Sequence, residues 1–172
     1  MRLILLILLS VSYADVIHVP ADYSTIQEGI DAAAEGDTVL VAEGTYSPST
    51  NGESFPIEMA SGIQLIGSGE EVTILNAEQT DRVITIDGCD NNIISDLTIT
   101  GGLAEGNSPD NRGGGIYLYS SNPTLTNVSI SGNTADYGGG IYMFSSYSDS
   151  IYFSNLTIKE NIGTGISLNE IF

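Results

Sequence analysis

The sequence predicts an all-β fold, a parallel β-helix in which short coils stack into a solenoid. The first observation is a repeat. Gly-Gly-Gly-Ile-Tyr-Leu-Tyr at 113–119 returns as Gly-Gly-Gly-Ile-Tyr-Met-Phe at 138–144 and in weaker form as Gly-Thr-Gly-Ile-Ser-Leu at 163–168. Gly115, Gly140 and Gly165 are spaced 25 residues apart. The second is another repeated phrase. Ile94-Ser-Asp-Leu-Thr-Ile-Thr-Gly101, Leu125-Thr-Asn-Val-Ser-Ile-Ser-Gly132 and Phe153-Ser-Asn-Leu-Thr-Ile-Lys-Glu160 share apolar, polar, Asp or Asn, apolar, Ser or Thr, Ile. The third is alternation: Ile116 and Leu118 alternate with Tyr117 and Tyr119, and Val128 and Ile130 with Ser129 and Ser131. Period two in β-branched and aromatic residues reads as strand, and a repeat of this length reads as units that bury their apolar faces only by stacking. A leucine-rich repeat also fits Leu125 to Asn133, but it would follow with a helix or a loose turn rather than the second alternating strand Ile116-Tyr-Leu-Tyr119.

Taken in order, the chain opens with Arg2, an unbroken apolar run from Leu3 to Leu9, and small residues in Ser12-Tyr13-Ala14. That reads as a secretory signal peptide over 1–14, too short to span a membrane. It places residues 15–172 outside the cell or on its surface, as one β-helix domain with no membrane span. Val16–Val19 is the first strand. Ser24-Thr-Ile-Gln27 reads as a capping box, so a short amphipathic helix over 24–35, with Ile26, Ile30 and Ala33 on one face and Gly36 stopping it, caps the open end of the solenoid. Strand resumes over Thr38–Ala42, and Glu43–Tyr46 turns out of it.

The segment Ser24-Thr-Ile-Gln-Glu-Gly-Ile-Asp-Ala-Ala-Ala-Glu-Gly-Asp-Thr-Val-Leu-Val-Ala-Glu-Gly-Thr-Tyr46 resembles the opening of bacterial right-handed parallel β-helix proteins of the pectin-lyase-like superfamily, pectin methylesterases among them. The repeats at 94–168 are similar to the Gly-Gly-Ile repeats of large bacterial surface β-helix proteins. The resemblance implies a right-handed coil and an extracellular setting. It does not choose between enzyme and non-enzyme, because one fold hosts both.

Beyond the polar loop 47–54, strands are expected at Ile57–Met59, Ile63–Ile66, Val72–Leu75, Val83–Ile86, Ile93–Ile94 and Leu97–Thr100, then a loop from Leu103 to Arg112. Next come Gly115–Tyr119, Thr124–Thr126 and Val128–Ser131. Asp96, Asn127 and Asn155 fall at equivalent corners, where Asn tolerates the left-handed conformation. These asparagines are read as structural, although Asn127-Val-Ser129 and Asn155-Leu-Thr157 also match the glycosylation acceptor pattern. The count gives about four to five coils. Ile166 and Leu168 continue the inward pattern to the last residues, so the C-terminal end is expected to be incomplete and to self-associate end to end through its open strand edge.

With Lys+Arg 4 against Asp+Glu 22 and a formal net charge of −18, the chain is a poor partner for nucleic acid or anionic lipid. Polyanionic sugars are disfavoured too unless calcium bridges them. Cys89 is the only cysteine, so no intrachain disulfide forms. Methylesterases of the resembling family are expected to carry Gln-Asp-Thr-Leu, Asp-Phe-Ile-Phe-Gly and Leu-Gly-Arg-Pro-Trp; none of these occurs, and there is no Trp. Asp81/Arg82 and Asp110/Arg112 precede the first strand of their coils, where a base and a substrate clamp could sit, or where a loop salt bridge forms. His18, the only histidine, reads as structural or exposed.

Glu105, Asn107, Asp110 and Asn111, or Asn133 and Asp136, offer oxygen ligands for calcium without the spacing of a known calcium loop; solvated turns are the plainer reading. No catalytic residue, metal site or obligatory cofactor is assigned. The surface singled out for binding is Tyr117, Tyr119, Tyr142 and Phe144, which alternation turns outward on one sheet with Tyr117 over Tyr142 and Tyr119 over Phe144. Such a ladder stabilises a sheet or offers sugar rings a stacking platform. The expected function is therefore a secreted or cell-surface domain in a binding, adhesive or structural role toward a polysaccharide or surface partner, with a carbohydrate-active enzyme as the alternative.

Overall fold

A computed structural model describes residues 13–145, 151–163 and 166–170, with side-chain surroundings withheld for Ser145 and 166–170. The signal-peptide assignment at 1–14 falls almost wholly outside the described residues, as do the surroundings of Ile166 and Leu168. The chain winds into a parallel solenoid of about four turns.

One sheet stacks Val16–Val19, Thr38–Val41, Gln64–Ile66, Ile93–Thr100, Thr124–Ser131 and Tyr152–Lys159, all parallel. Gly44–Tyr46 pairs with Thr73–Asn76, which in turn pairs with the second half of Ile93–Thr100. A second sheet stacks Ile57–Glu58, Ile84–Asp87, Ile116–Tyr119, Ile141–Ser145 and Ile166–Glu170. Leu103–Ala104 and Thr134–Ala135 form a third, two-stranded piece.

Parallel register puts like on like. Val39, Leu65, Ile94 and Leu125 form one inward column, and Ile57, Ile84, Ile116 and Ile141 another, each side chain fully buried. Each contributes about 1.5–3 kcal/mol. Cys89 is buried, its thiol donating to the Met59 and Asp87 carbonyls at 3.1 and 3.2 Å, and burial pushes its pKa up. That makes it an inert packing residue.

Several boundaries differ from the sequence reading. The helix runs only from Ile26 to Ala32. Its capping box is Thr25 with Glu28 rather than Ser24 with Gln27: the Thr25 hydroxyl accepts from the Glu28 amide at 3.2 Å, and the Thr25 amide donates to Glu28 at 3.1 Å. It ends early because Ala33 turns extended and the Ala34 amide goes to the Asp37 carboxylate at 2.8 Å. Ile26 and Ile30 enter the core. Gly44–Tyr46 is a strand, not a turn, since Thr73–Asn76 offers it a parallel partner. The two strands expected around each corner are one eight-residue strand with a bend, at 93–100, 124–131 and 152–159. Part of the expected loop after Leu103 pairs with Thr134–Ala135. Among the described residues no helix is long and apolar enough to cross a membrane.

Candidate functional site

The outward face of the second sheet carries two columns. One runs Glu58, Thr85, Tyr117, Tyr142, and the next runs Asp87, Tyr119, Phe144. The rings follow the register. Tyr117 and Tyr142 stack with centroids 5.7 Å apart and planes 5° from parallel; Tyr119 and Phe144 stack at 5.0 Å and 4°. Tyr117 and Tyr119, two apart on one strand, are stacked at 6.4 Å.

The expectation of four open rings needs correction. Tyr117 is 7% exposed and Tyr142 1%, whereas Tyr119 is 38% exposed and Phe144 half-buried. The covering groups are arginines. Arg82 lies over the Tyr117 ring with its guanidinium carbon 4.8 Å from the centroid, and Arg112 lies over Tyr142 at 4.8 Å. Each arginine stands in the turn that leads into one coil and reaches the tyrosine of the next. A flat, weakly hydrated guanidinium suits an aromatic face. Burial raises the Tyr117 pKa, and the Asp87 charge adds to it, while both arginines act the other way.

The sequence pairs Asp81/Arg82 and Asp110/Arg112 resolve differently. Arg82 Nε is 3.9 Å from Asp81, and the same carboxylate accepts from the Arg82 backbone amide at 2.7 Å. Arg82 Nη2 donates to the carbonyl of Asp110 at 3.0 Å and of Pro109 at 3.4 Å. Arg82 is thus held as a structural clamp. Arg112 has no carboxylate within ion-pair distance among the described residues, and its Nε is buried without a hydrogen-bond partner. Beside Arg82, Thr80, Asp81, Leu103, Glu105 and Asp110 line an open pocket of about 290 Å³. At the foot of the first column, burial raises the Glu58 pKa against the Thr85 hydroxyl bond and the Arg82 charge, which lower it. His18 is exposed, its Nδ1 3.4 Å from Asp22.

The corner residues form a ladder. Asp96, Asn127 and Asn155 have φ of 58°, 53° and 49°. Asn127 Nδ2 donates to Asp96 Oδ1 at 2.8 Å, and Asn155 Nδ2 donates to Asn127 Oδ1 at 2.9 Å. Every amide points its donor toward the preceding coil, so the first position needs only an acceptor, which a carboxylate supplies. Below Asp96 sits Gly67, where an added Cβ would lie 2.1 Å from the Asp96 carbonyl oxygen; no side chain fits beneath the ladder.

A second asparagine ladder runs inside the fold. Asn133, offered above as a calcium ligand, is fully buried. Its Nδ2 donates to the carbonyls of Ile99 and Ser131 and to Asn161 Oδ1 at 3.0–3.2 Å, and its Oδ1 accepts from Gly102 N at 2.8 Å. Its amide is therefore spent inside the fold. The signal was available: Asn133 and Asn161 are separated by 28 residues, as are Asn127 and Asn155. Asn111 Nδ2 donates to Asp136 at 2.9 Å, and among the described residues no group of three or more His, Cys, Asp or Glu is placed to hold a metal ion.

A family model described as a right-handed β-helix region matches residues 59–171. Among solved structures, a pectin methylesterase mutant in complex with a hexasaccharide is similar at 16% identity and a TM-score of 0.50, over 86% of this chain and 49% of that one. A second pectin methylesterase complex, with another hexasaccharide, is similar at 17% identity and a TM-score of 0.49, over 80% and 47%. At that identity the likeness is one of fold, and the chain spans about half the length of these structures. No curated protein matches the sequence.

Proposed function

The chain belongs to the right-handed β-helix family, and on that premise we propose that it is an exported binding domain that holds carbohydrate on the aromatic face of its second sheet. The observation that carries this is the in-register pair Tyr119 and Phe144, stacked at 5.0 Å on an outward face with Tyr119 38% exposed. Sugar rings present flat faces of C–H groups that stack on such rings, while hydroxyls need polar neighbours, which Asp87 supplies from the same column and Arg112 from the adjoining turn. Tyr117 and Tyr142, pinned under their arginines, hold the working pair in place. The oligosaccharides bound by the pectin methylesterases of like fold lend general support. Engagement of Arg82 with two carbonyls and Asp81 favours binding over the catalytic alternative, which needs that arginine free.

Affinity electrophoresis through gels cast with pectin, glucan or mannan tests the reading. Migration should be retarded by at least one polysaccharide, and Tyr119→Ala with Phe144→Ala should abolish the retardation. Equal mobility of wild type and double variant in every gel would sink the proposal, and turnover of the retained polymer would move it to catalysis. Export rests on the Leu3–Leu9 run and the Ser12-Tyr13-Ala14 site. N-terminal sequencing of extracellular protein should read from Asp15; finding Met1 instead refutes it.

A further inference from the structure

Around the corner from the aromatic pair, the turns into the first sheet enclose an open pocket of about 320 Å³ lined by Asn91, Asn92, Ile93, Asn122, Thr124 and Tyr152. From Tyr119 to Asn122 is three residues, at most about 11 Å of extended chain. Ile93, Thr124 and Tyr152 are register partners on successive coils, so they form an outward column rising about 4.8 Å per coil. Tyr152, on the last described coil of this sheet, is 65% exposed.

The polar groups are fixed from behind, and Asn91, Asn122 and Thr124 reach the surface while Asn92 lies buried beneath them. Asn91, at φ 59°, donates its backbone amide to Asn122 Oδ1 at 2.6 Å, and Asn122 Nδ2 meets no acceptor among the described residues. Asn92 is 1% exposed and anchored by Nδ2 to the carbonyls of Ala60 at 2.6 Å and Ile63 at 3.3 Å, while its Oδ1 has no hydrogen-bond partner among the described residues. The Asn91 side-chain amide, the Thr124 hydroxyl and the Tyr152 hydroxyl likewise bond no described residue.

Among the described residues the lining is uncharged, on a chain of net charge −18. Those residues offer a carboxylated ligand no cation and a cationic one no carboxylate. An exposed ring beside uncharged donors and acceptors suits a ligand with a flat C–H face and many hydroxyls.

We propose that this corner is a second binding site, for one ring of a neutral glycan, stacked on Tyr152 and hydrogen-bonded through its hydroxyls to Asn91, Asn122 and Thr124. The site stands on its own groups and does not depend on the Tyr119–Phe144 reading, although one glycan could engage both. Because the turn is already tied down, little ordering accompanies binding.

The test is an NMR titration of the full chain with cellohexaose, mannohexaose and hexagalacturonate. A neutral hexasaccharide should shift the side-chain amides of Asn91 and Asn122, and hexagalacturonate should leave them in place. Tyr152→Ala should weaken that binding about tenfold, the loss of one ring contact, while Tyr152→Phe stays within about threefold. Asn122→Asp, which keeps the acceptor for Asn91 but removes the donor and adds charge, should also weaken it. Tyr119→Ala separates the two sites: corner shifts persist if the corner binds by itself. Three outcomes each overturn the inference: no shift at Asn91 or Asn122 up to about 10 mM sugar, corner shifts that vanish in Tyr119→Ala, or unchanged affinity in both Tyr152→Ala and Asn122→Asp.

Discussion

At the residue scale, the asparagines do the work that charge pairs and disulfides do elsewhere. A flat coil must turn sharply at each corner, and a left-handed residue does this with least strain when its side chain can bond locally. Stacking then lets each amide satisfy the next. Asn127→Ala removes both links of its ladder and leaves alanine at φ 53°; it should cost about 1–3 kcal/mol in denaturant unfolding. Asn127→Gly, which relieves the backbone but not the lost bonds, should recover only part. Asn133→Ala should cost more than Asn127→Ala, since Asn133 is fully buried and satisfies a backbone amide and two carbonyls as well as its neighbour. The reverse order would show that burial does not govern these ladders. An inward Asn among apolar residues is easily misread as a loop ligand, because polarity alone does not tell which way a side chain points.

At the scale of elements, the capping helix is held by a residue from a loop far along the chain. Glu53, 2% exposed, accepts from the amides of Ile26 at 2.7 Å and Gln27 at 3.2 Å, the first turn of the helix. Burial raises its pKa, and those amide bonds only partly offset the effect. A carboxyl whose pKa is higher folded than unfolded makes the folded state costlier while charged. That cost fades as pH falls through the raised value toward about 4.3, the unfolded reference. Asp37 works in the opposite sense: amides of Asp15 and Ala34 lower its pKa, so its support is lost in acid. The clean measurement is therefore a difference. Wild type should gain stability relative to Glu53→Gln as pH is lowered from about 7 to about 4; parallel profiles would show that Glu53 titrates as an ordinary carboxylate.

The same scale shows what the sequence could convey. Strands long enough to alternate, and columns of like residues one repeat apart, could be read directly, as Ile116 over Ile141 illustrates. The pair Leu103–Ala104 is too short to alternate, and the cover that Arg82 places on Tyr117 joins residues from different phrases of the repeat. Period two says which way Tyr117 points, not what lies on top of it.

At the scale of the whole molecule, stability comes from stacking, while the charges oppose it. Only four Lys or Arg stand against 22 Asp or Glu, and among the described residues there are two close contacts of this kind, His18 beside Asp22 and Arg82 beside Asp81. Inward columns are apolar, so most of the acids, Glu53 and Asp37 apart, lie on the outside of the solenoid, within mutual reach at low salt. The Debye length shrinks from about 30 Å at 0.01 M to about 3 Å at 1 M. Repulsion spread over the surface should be screened across that range, whereas two local pairs have little attraction to lose. Melting followed by circular dichroism should therefore rise by at least about 2–4 °C between about 0.01 M and about 1 M NaCl, the shift that roughly 1 kcal/mol gives a domain of this size. Calcium chloride at matched ionic strength is the comparison. A further rise with calcium would point to an ion held by the acidic loops, and equal curves would assign the effect to screening. A melting point that falls with NaCl would mean that attractive pairs outweigh repulsion, and the acidic solenoid would then be held by contacts other than its stacked core.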